Sequence, residues 1–186
     1  MTRPPLRSAR LILREWRDSD LDAFAALSAD AEVMELLQGP RNRANSDEIA
    51  ARWRAHFDDH GFGFWVIELP GEADFIGITG LGHIPYMAHF TPAIEIGWRL
   101  ARRYWGHGYA TEAAAAALDY GFGPLGLTEI TANTMPVNRR SRAVMERLGM
   151  THDPRDDYDH PRLPIDHPGR RHVLYRLPRA TWLARQ

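Results

Sequence analysis

Apolar and polar positions along the chain change period several times, and each change marks an element. Leu11 to Leu13 is a short apolar run between arginines and reads as a strand, and Asp18-Ser19-Asp20 has the composition of a helix start. Phe24, Leu27, Val33, Leu36 and Leu37 recur at helical spacing with a break near Asp30, and Gly39-Pro40 stops the run. A second helix is expected to open at Ser46-Asp47-Glu48, to carry Ile49, Trp53 and Phe57 on one stripe, and to close at Gly61. From Phe64 the period becomes that of strands. Residues 64–69 and 75–84 are expected as two strands joined by the Pro70-Gly71 turn, with a third over 93–100. Gly77, Gly80 and Gly82 do not have the spacing of a dinucleotide fingerprint; beside Ile76, Ile78 and Leu81 they fit a strand that another backbone approaches closely. An alanine-rich helix over 109–120, a strand over 127–134, a helix over 138–148 and a strand over 172–177 complete an α/β (α+β) pattern. No internal repeat and no dividing linker is visible, so residues 1–186 read as a single domain.

Composition narrows the chemistry. All 23 basic residues are arginine, against 24 acids, and cysteine is absent. A chain without lysine has no Walker-type phosphate loop and no Schiff-base lysine, and one without cysteine has no thiol nucleophile, iron–sulfur cluster or cysteine zinc site. The net charge of −1 gives no general attraction to nucleic acid or anionic membrane, and the aromatic residues Trp53, Phe57, Phe64 and Trp65 fall at core positions. No stretch reaches the roughly 18 apolar residues of a membrane span, and Met1 to Arg10 lacks the apolar centre of a secretory signal. A cytoplasmic location is the expectation.

The most informative segment runs Glu95-Ile96-Gly97-Trp98-Arg99-Leu100, then Arg103-Tyr104-Trp105-Gly106-His107-Gly108-Tyr109-Ala110. It is a strand, a glycine-bearing loop and a helix start. Backbone N–H groups at a helix N-terminus favour an anion, and Gly106 and Gly108 let a backbone wrap a phosphate without a Cβ in the way. Ala110, Ala113, Ala114 and Ala117 give the helix a small face for close packing. Taken alone, these two glycines also suit an ordinary strand-to-helix turn.

As a family pattern the segment says more. Arg103-x-x-Gly106-x-Gly108 resembles the pyrophosphate loop of the GNAT N-acetyltransferase superfamily. The Glu-Ile-Gly-Trp strand and Asn138-x-x-Ser141-x-x-Val144-Met145-Glu146-x-Leu148-Gly149-Met150 resemble its RimJ/RimL-like branch. The resemblance runs from the Leu11 strand to the His172 strand. It implies the acyl-CoA N-acyltransferase fold, with a mixed, mostly antiparallel splayed sheet flanked by helices, and acetyl-CoA as cofactor. It also implies that backbone amides from Tyr104 to Tyr109, with Trp105, His107 and Ala110 in the same stretch, hold the pyrophosphate. The strand through Trp98, Arg99 and Leu100 would pair with the pantetheine arm, Asn138 would hydrogen-bond that arm, and Arg103 and Arg142 would meet phosphates.

Acetyl transfer to an amine needs a base, an oxyanion donor and a proton for the leaving thiolate. Glu95 is the candidate base, directly or through water, with a structural glutamate on the sheet's polar face as the competing reading. Many superfamily members carry a tyrosine where this chain has Met145, which cannot donate a proton. Ser141 is the branch's alternative acid, and satisfying first-turn amides of its own helix is its bland role. The implied acceptor is a protein N-terminus or a small-molecule amine, with the enzyme a monomer or homodimer. A non-catalytic acyl-CoA-binding sensor is the alternative function.

Residues 151–171 hold three histidines, five aspartates and prolines at 154, 161, 164 and 168, which exclude a regular helix or a central strand. His160, His167 and Asp159 or Asp166 have metal-ligand chemistry but no compact spacing, so no metal is assigned. An acceptor-site wall, with Asp156, Asp157 and Asp159 drawing in a cationic amine, is the preferred reading over a solvated loop.

Overall fold

The computed structural model describes residues 3–37 and 39–185, so the reading of residues 1–10 falls partly outside them. The chain forms two compact units, residues 1–82 with 97–117, and residues 83–96 with 118–186. Among the described residues no helix is long and apolar enough to cross a membrane.

In the first unit, β1 (Leu6–Arg7), β2 (Ile12–Arg14), β3 (Phe64–Leu69) and β4 (Ala73–His83) pair antiparallel in chain order. The C-terminal half of β5 (Ile94–Leu100) lies beside β4, where Thr79 Oγ1 donates to the Gly97 carbonyl at 2.9 Å. The glycines of β4 explain themselves: a Cβ at Gly77 would strike the Arg99 carbonyl and Leu100 Cα, and one at Gly80 the Gly63–Phe64 backbone. Three helices belong to this unit, α1 (Leu21–Ala29), α2 (Ala31–Met34) and α3 (Arg43–His60). Asp30 breaks the first from the second and caps the latter, its side chain accepting from the N–H groups of Glu32 and Val33. The α3 start differs from expectation by three residues. Asn42 caps it by accepting from Asn45 N–H at 2.9 Å, and Ser46 is instead a fully buried position within the helix. Gly61 closes α3 in the left-handed conformation, φ +80°. Trp16, Phe24, Trp53 and Phe64 form an aromatic cluster in which Trp53 stacks on Phe64 with centroids 4.8 Å apart.

Arg14 is the polar centre of this unit. Its guanidinium donates twice to Asp20 at 2.8 and 2.9 Å, to Glu68 at 2.8 Å and to the Asp74 carbonyl at 2.7 Å.

Helix α4 (Tyr109–Phe122) begins in the first unit and ends in the second, with Ala113, Ala114 and Ala117 fully buried as its small face requires. In the second unit β6 (Glu129–Thr134) pairs parallel with β5 at Glu95↔Thr131 and antiparallel with β9 (Arg171–Pro178) along its whole length. Helix α5 (Arg139–Arg147) follows β6, and a short α6 (Arg179–Leu183) follows β9, with Trp182 Nε1 donating to Asp119 at 2.8 Å. The proline-bearing stretch is what its composition allows. It contains two-residue strands β7 (Thr151–His152) and β8 (Tyr158–Asp159), both paired to β9, and otherwise turns.

Candidate functional site

The loop between β5 and α4 is built for an anion. Tyr104 and Trp105 donate their N–H groups to Ala101 and Arg102 in a short 3-10 turn. Beyond them, the N–H groups from Gly106 to Thr111 have no protein partner among the described residues. Gly106 and Gly108 both sit in the left-handed region, φ +80° and +81°, where a side chain is strained. Arg10 supports the loop from outside: it donates to the His107 carbonyl at 3.1 Å, pairs with Glu112 at 2.6 Å and lies 4.5 Å from the centre of the Tyr109 ring. His107 is exposed, its ring stacked on Tyr109. Trp105 Nε1 closes back on the Leu100 carbonyl at 2.8 Å. Arg103 is exposed, its guanidinium 4.9 Å from the Tyr104 ring centre, and has no carboxylate partner among the described residues. This donor set, main-chain amides at a helix N-terminus with arginine nearby, suits a pyrophosphate.

In the second unit Glu95 is held by Asn133, whose Nδ2–H donates to Oε2 at 2.9 Å. Burial pushes the Glu95 carboxyl up to about 7, and the Asn133 hydrogen bond opposes that rise. Tyr86 and Tyr158 feel the Glu95 charge and share a hydroxyl–hydroxyl hydrogen bond of 2.8 Å. Burial raises both phenols, Tyr86 to about 12, so they stay protonated donors near neutrality. The rings of His160 and His172 lie 6.3 and 5.7 Å from Tyr158, and burial lowers both imidazoles. They are therefore neutral near pH 7 and add no positive charge.

At the start of α5, Asn138 Oδ1 accepts from Ser141 N–H at 3.1 Å, and its Nδ2 donates to Thr134 Oγ1 at 3.0 Å. Asn138 thus caps the helix, the duty that would have occupied Ser141. The Ser141 hydroxyl has no hydrogen-bond partner among the described residues and is half-exposed. Arg142 is already engaged: Nε donates to the Tyr175 hydroxyl at 3.1 Å and Nη1 to the Pro136 carbonyl at 3.2 Å. Met145 is buried.

Asp156, Asp157 and Asp159, the residues expected to draw in an amine, each have a partner within the chain. Asp156 pairs with Arg176 at 2.7 Å and His89 at 3.5 Å, Asp157 with His152 at 2.7 Å, and Asp159 with Arg171 at 3.4 Å. Asp156 and Asp159 face arginine charges within the chain, and Asp157 is held by a hydrogen bond from the His152 ring.

Asn133, Tyr86, Tyr158 and Arg10 escaped the sequence reading. Only Asn133 left a signal there, since it continues a polar row through Glu129 and Thr131 on one side of an otherwise apolar strand.

Comparison with known proteins agrees with this fold. Residues 10–151 match the acetyltransferase (GNAT) domain family. The chain is 33% identical over 192 residues to the FsC-acetyl coenzyme A-N(2)-transacetylase of Aspergillus fumigatus, covering 98% of this chain and 80% of that protein. Among solved structures, an acetyltransferase from Agrobacterium tumefaciens superposes with a TM-score of 0.77 at 31% identity, covering 95% of each chain. Mycobacterium smegmatis RimJ in complex with CoA-disulfide superposes at 0.73 and 28% identity, covering 96% of this chain and 87% of that one. The chain belongs to the GNAT acetyltransferase family. It is an acetyl-CoA-dependent N-acetyltransferase with the GNAT fold.

Proposed function

We propose that this chain acetylates a primary amine by direct transfer from acetyl-CoA within a ternary complex, with Glu95 as base and Ser141 as acid. The observation that carries the reading is the Glu95 carboxyl, fixed by Asn133 at 2.9 Å and poised at about 7. A general base works best when its pKa lies near the operating pH. When bound, acetyl-CoA supplies an activated thioester and departs as a thiol. The amides from Gly106 to Tyr109, with Ala110 and Arg103, would hold its pyrophosphate, and the main chain of Trp98, Arg99 and Leu100 would pair with its pantetheine arm. Asn138 keeps a second amide hydrogen for that arm after bonding Thr134. Arg142 retains Nη2 for a phosphate once Tyr175 and Pro136 are satisfied. Glu95 accepts the proton of the amine, directly or through one water, and Ser141 Oγ, relieved of capping by Asn138, holds the proton for sulfur.

The acceptor is read as a protein N-terminus or a small-molecule amine, and the enzyme as a RimJ/RimL-like member acting as one domain. The 28% identity to RimJ supports the branch, and the 33% identity to a transacetylase named for an N(2) position supports transfer to a nitrogen. The deciding experiment is thiol release with acetyl-CoA and a peptide and amine library, for the native chain and Glu95→Gln. Turnover should fall in the variant while acetyl-CoA affinity by calorimetry holds. Equal turnover at pH 7 removes Glu95 from the mechanism, and binding without thiol release on any amine favours the sensor.

A further inference from the structure

One half-buried cation of the first unit has no anion beside it among the described residues. Arg99 Nε and Nη1 are sealed from solvent and have no hydrogen-bond partner among the described residues. Buried donors in native folds are nearly always matched, and an uncompensated buried charge is far costlier than an ordinary lost hydrogen bond. The same unit shows how it treats a buried arginine otherwise, since Arg14 is met by Asp20, Glu68 and a carbonyl. Burial first, and the positive charge of Arg41 second, together lower the Arg99 guanidinium to about 10, and no carboxylate opposes them. It remains cationic at neutral pH.

The backbone fixes both arginines. Arg41 N–H donates to the Ser28 carbonyl of α1 at 2.8 Å, and the next residue, Asn42, caps α3. Gly97 shares a strand face with Arg99, and a Cβ there would meet Phe64 Cε1 at 3.1 Å. Phe64 stacks on Trp53 of α3, so the Arg99 stem leaves β5 on the α3 side. Two like charges beside each other favour an anion over a neutral water, and a planar fork matches a carboxylate bidentately. The main-chain amides after Trp105 already provide for a pyrophosphate, which leaves this side-chain fork for a different group.

We propose that Arg99, backed by Arg41, is an oxyanion-binding site that receives a carboxylate of the amine acceptor. Only the word acceptor rests on the acetyl-transfer reading; anion binding is independent of turnover. A coenzyme phosphate offers the same chemistry from another source, and the experiment separates the two.

The test uses the whole chain, Arg99→Met and Arg99→Lys. In thermal melts, succinate should raise the native Tm. Arg99→Met should melt higher than native without anion, because two unmatched buried donors have gone, and should lose the succinate increment. Arg99→Lys should keep part of it. For turnover, dipeptides with a free C-terminus are compared with their C-terminal amides by mass spectrometry. The native enzyme should favour the acids by about 10- to 100-fold in kcat/KM, the range of a hydrogen bond to a charged group, and Arg99→Met should level the pair. No succinate increment in the native chain, or no acid preference, overturns the proposal. So does an Arg99→Met variant that keeps the acid preference and binds acetyl-CoA more than about tenfold more weakly, which assigns the fork to the coenzyme. If no amine is acetylated yet the succinate increment exists and depends on Arg99, the acetyl-transfer reading fails and the anion site stands.

Discussion

At Glu95 two opposing influences meet: burial favours the acid, and the Asn133 N–H favours the carboxylate. The balance near 7 has a sign for activity and another for stability. Activity that needs the carboxylate rises with pH through about 7 and then levels, and Glu95→Gln should remove that limb and lower kcat by about 10²- to 10⁴-fold. A carboxyl raised in the folded state holds its proton where the unfolded chain has lost it. Between the ordinary value of 4.5 and about 7 the folded protein therefore loses stability as pH rises, and does not regain it above. Urea unfolding from pH 4.5 to 8 should show this slope in the native chain and a flatter one in Glu95→Gln. Asn133, which opposes the rise, comes from β6, and Tyr86 and Tyr158, which feel the Glu95 charge, come from the segment after β4 and from β8. Glu95 was legible in the sequence because it lies inside a family motif. Its neighbours were not, because only strand pairing brings residues 38 and 72 positions apart in the chain into contact.

Along single elements, periodicity located nearly every helix and long strand within a few residues, since burial of one face dictates the pattern. What it missed has local causes. The α3 start moved because Asn42 outcompetes Ser46 as a cap, and β1 and α6 are too short to show a period. The pairing of Asp156 is invisible in the sequence because its partners, Arg176 on β9 and His89, lie on other segments, and those of Asp157 and Asp159 because the turns of the stretch follow no period. The loop before α4 makes a sharper prediction. Gly106 has open space around it and φ +80°, so Gly106→Ala meets no clash and only backbone strain, about 1–2 kcal/mol. If the loop holds the coenzyme in this shape, the variant loop relaxes out of it in the free chain, and acetyl-CoA affinity measured by calorimetry should drop by about tenfold with little change in Tm.

For the whole molecule, stability leans on a polar knot as well as on apolar packing. Arg14 joins β2 to Asp20, Glu68 and Asp74, and replacing it with Ala strands a carboxylate that is 2% exposed. Equilibrium unfolding should register a loss of about 3–5 kcal/mol, whereas neutralising the exposed Arg43–Asp47 pair should leave the unfolding midpoint nearly unchanged. A chain without lysine also has no side-chain amine to acetylate, so prolonged incubation with acetyl-CoA should add at most one amide-linked acetyl group per chain, seen by intact mass. A last consequence concerns how this scaffold can change over generations. The Phe64 ring occupies the space of two absent side chains at once, lying where a Cβ on Gly82 would meet it at 3.2 Å and one on Gly97 at 3.1 Å. Neither glycine can gain a methyl unless the ring yields, and the ring cannot shrink without leaving a void beside both strands. The three positions are therefore one inherited unit. Variation here must pass through compensated pairs, and Gly97→Ala with Phe64→Leu should be better tolerated together than the sum of the two changes made singly.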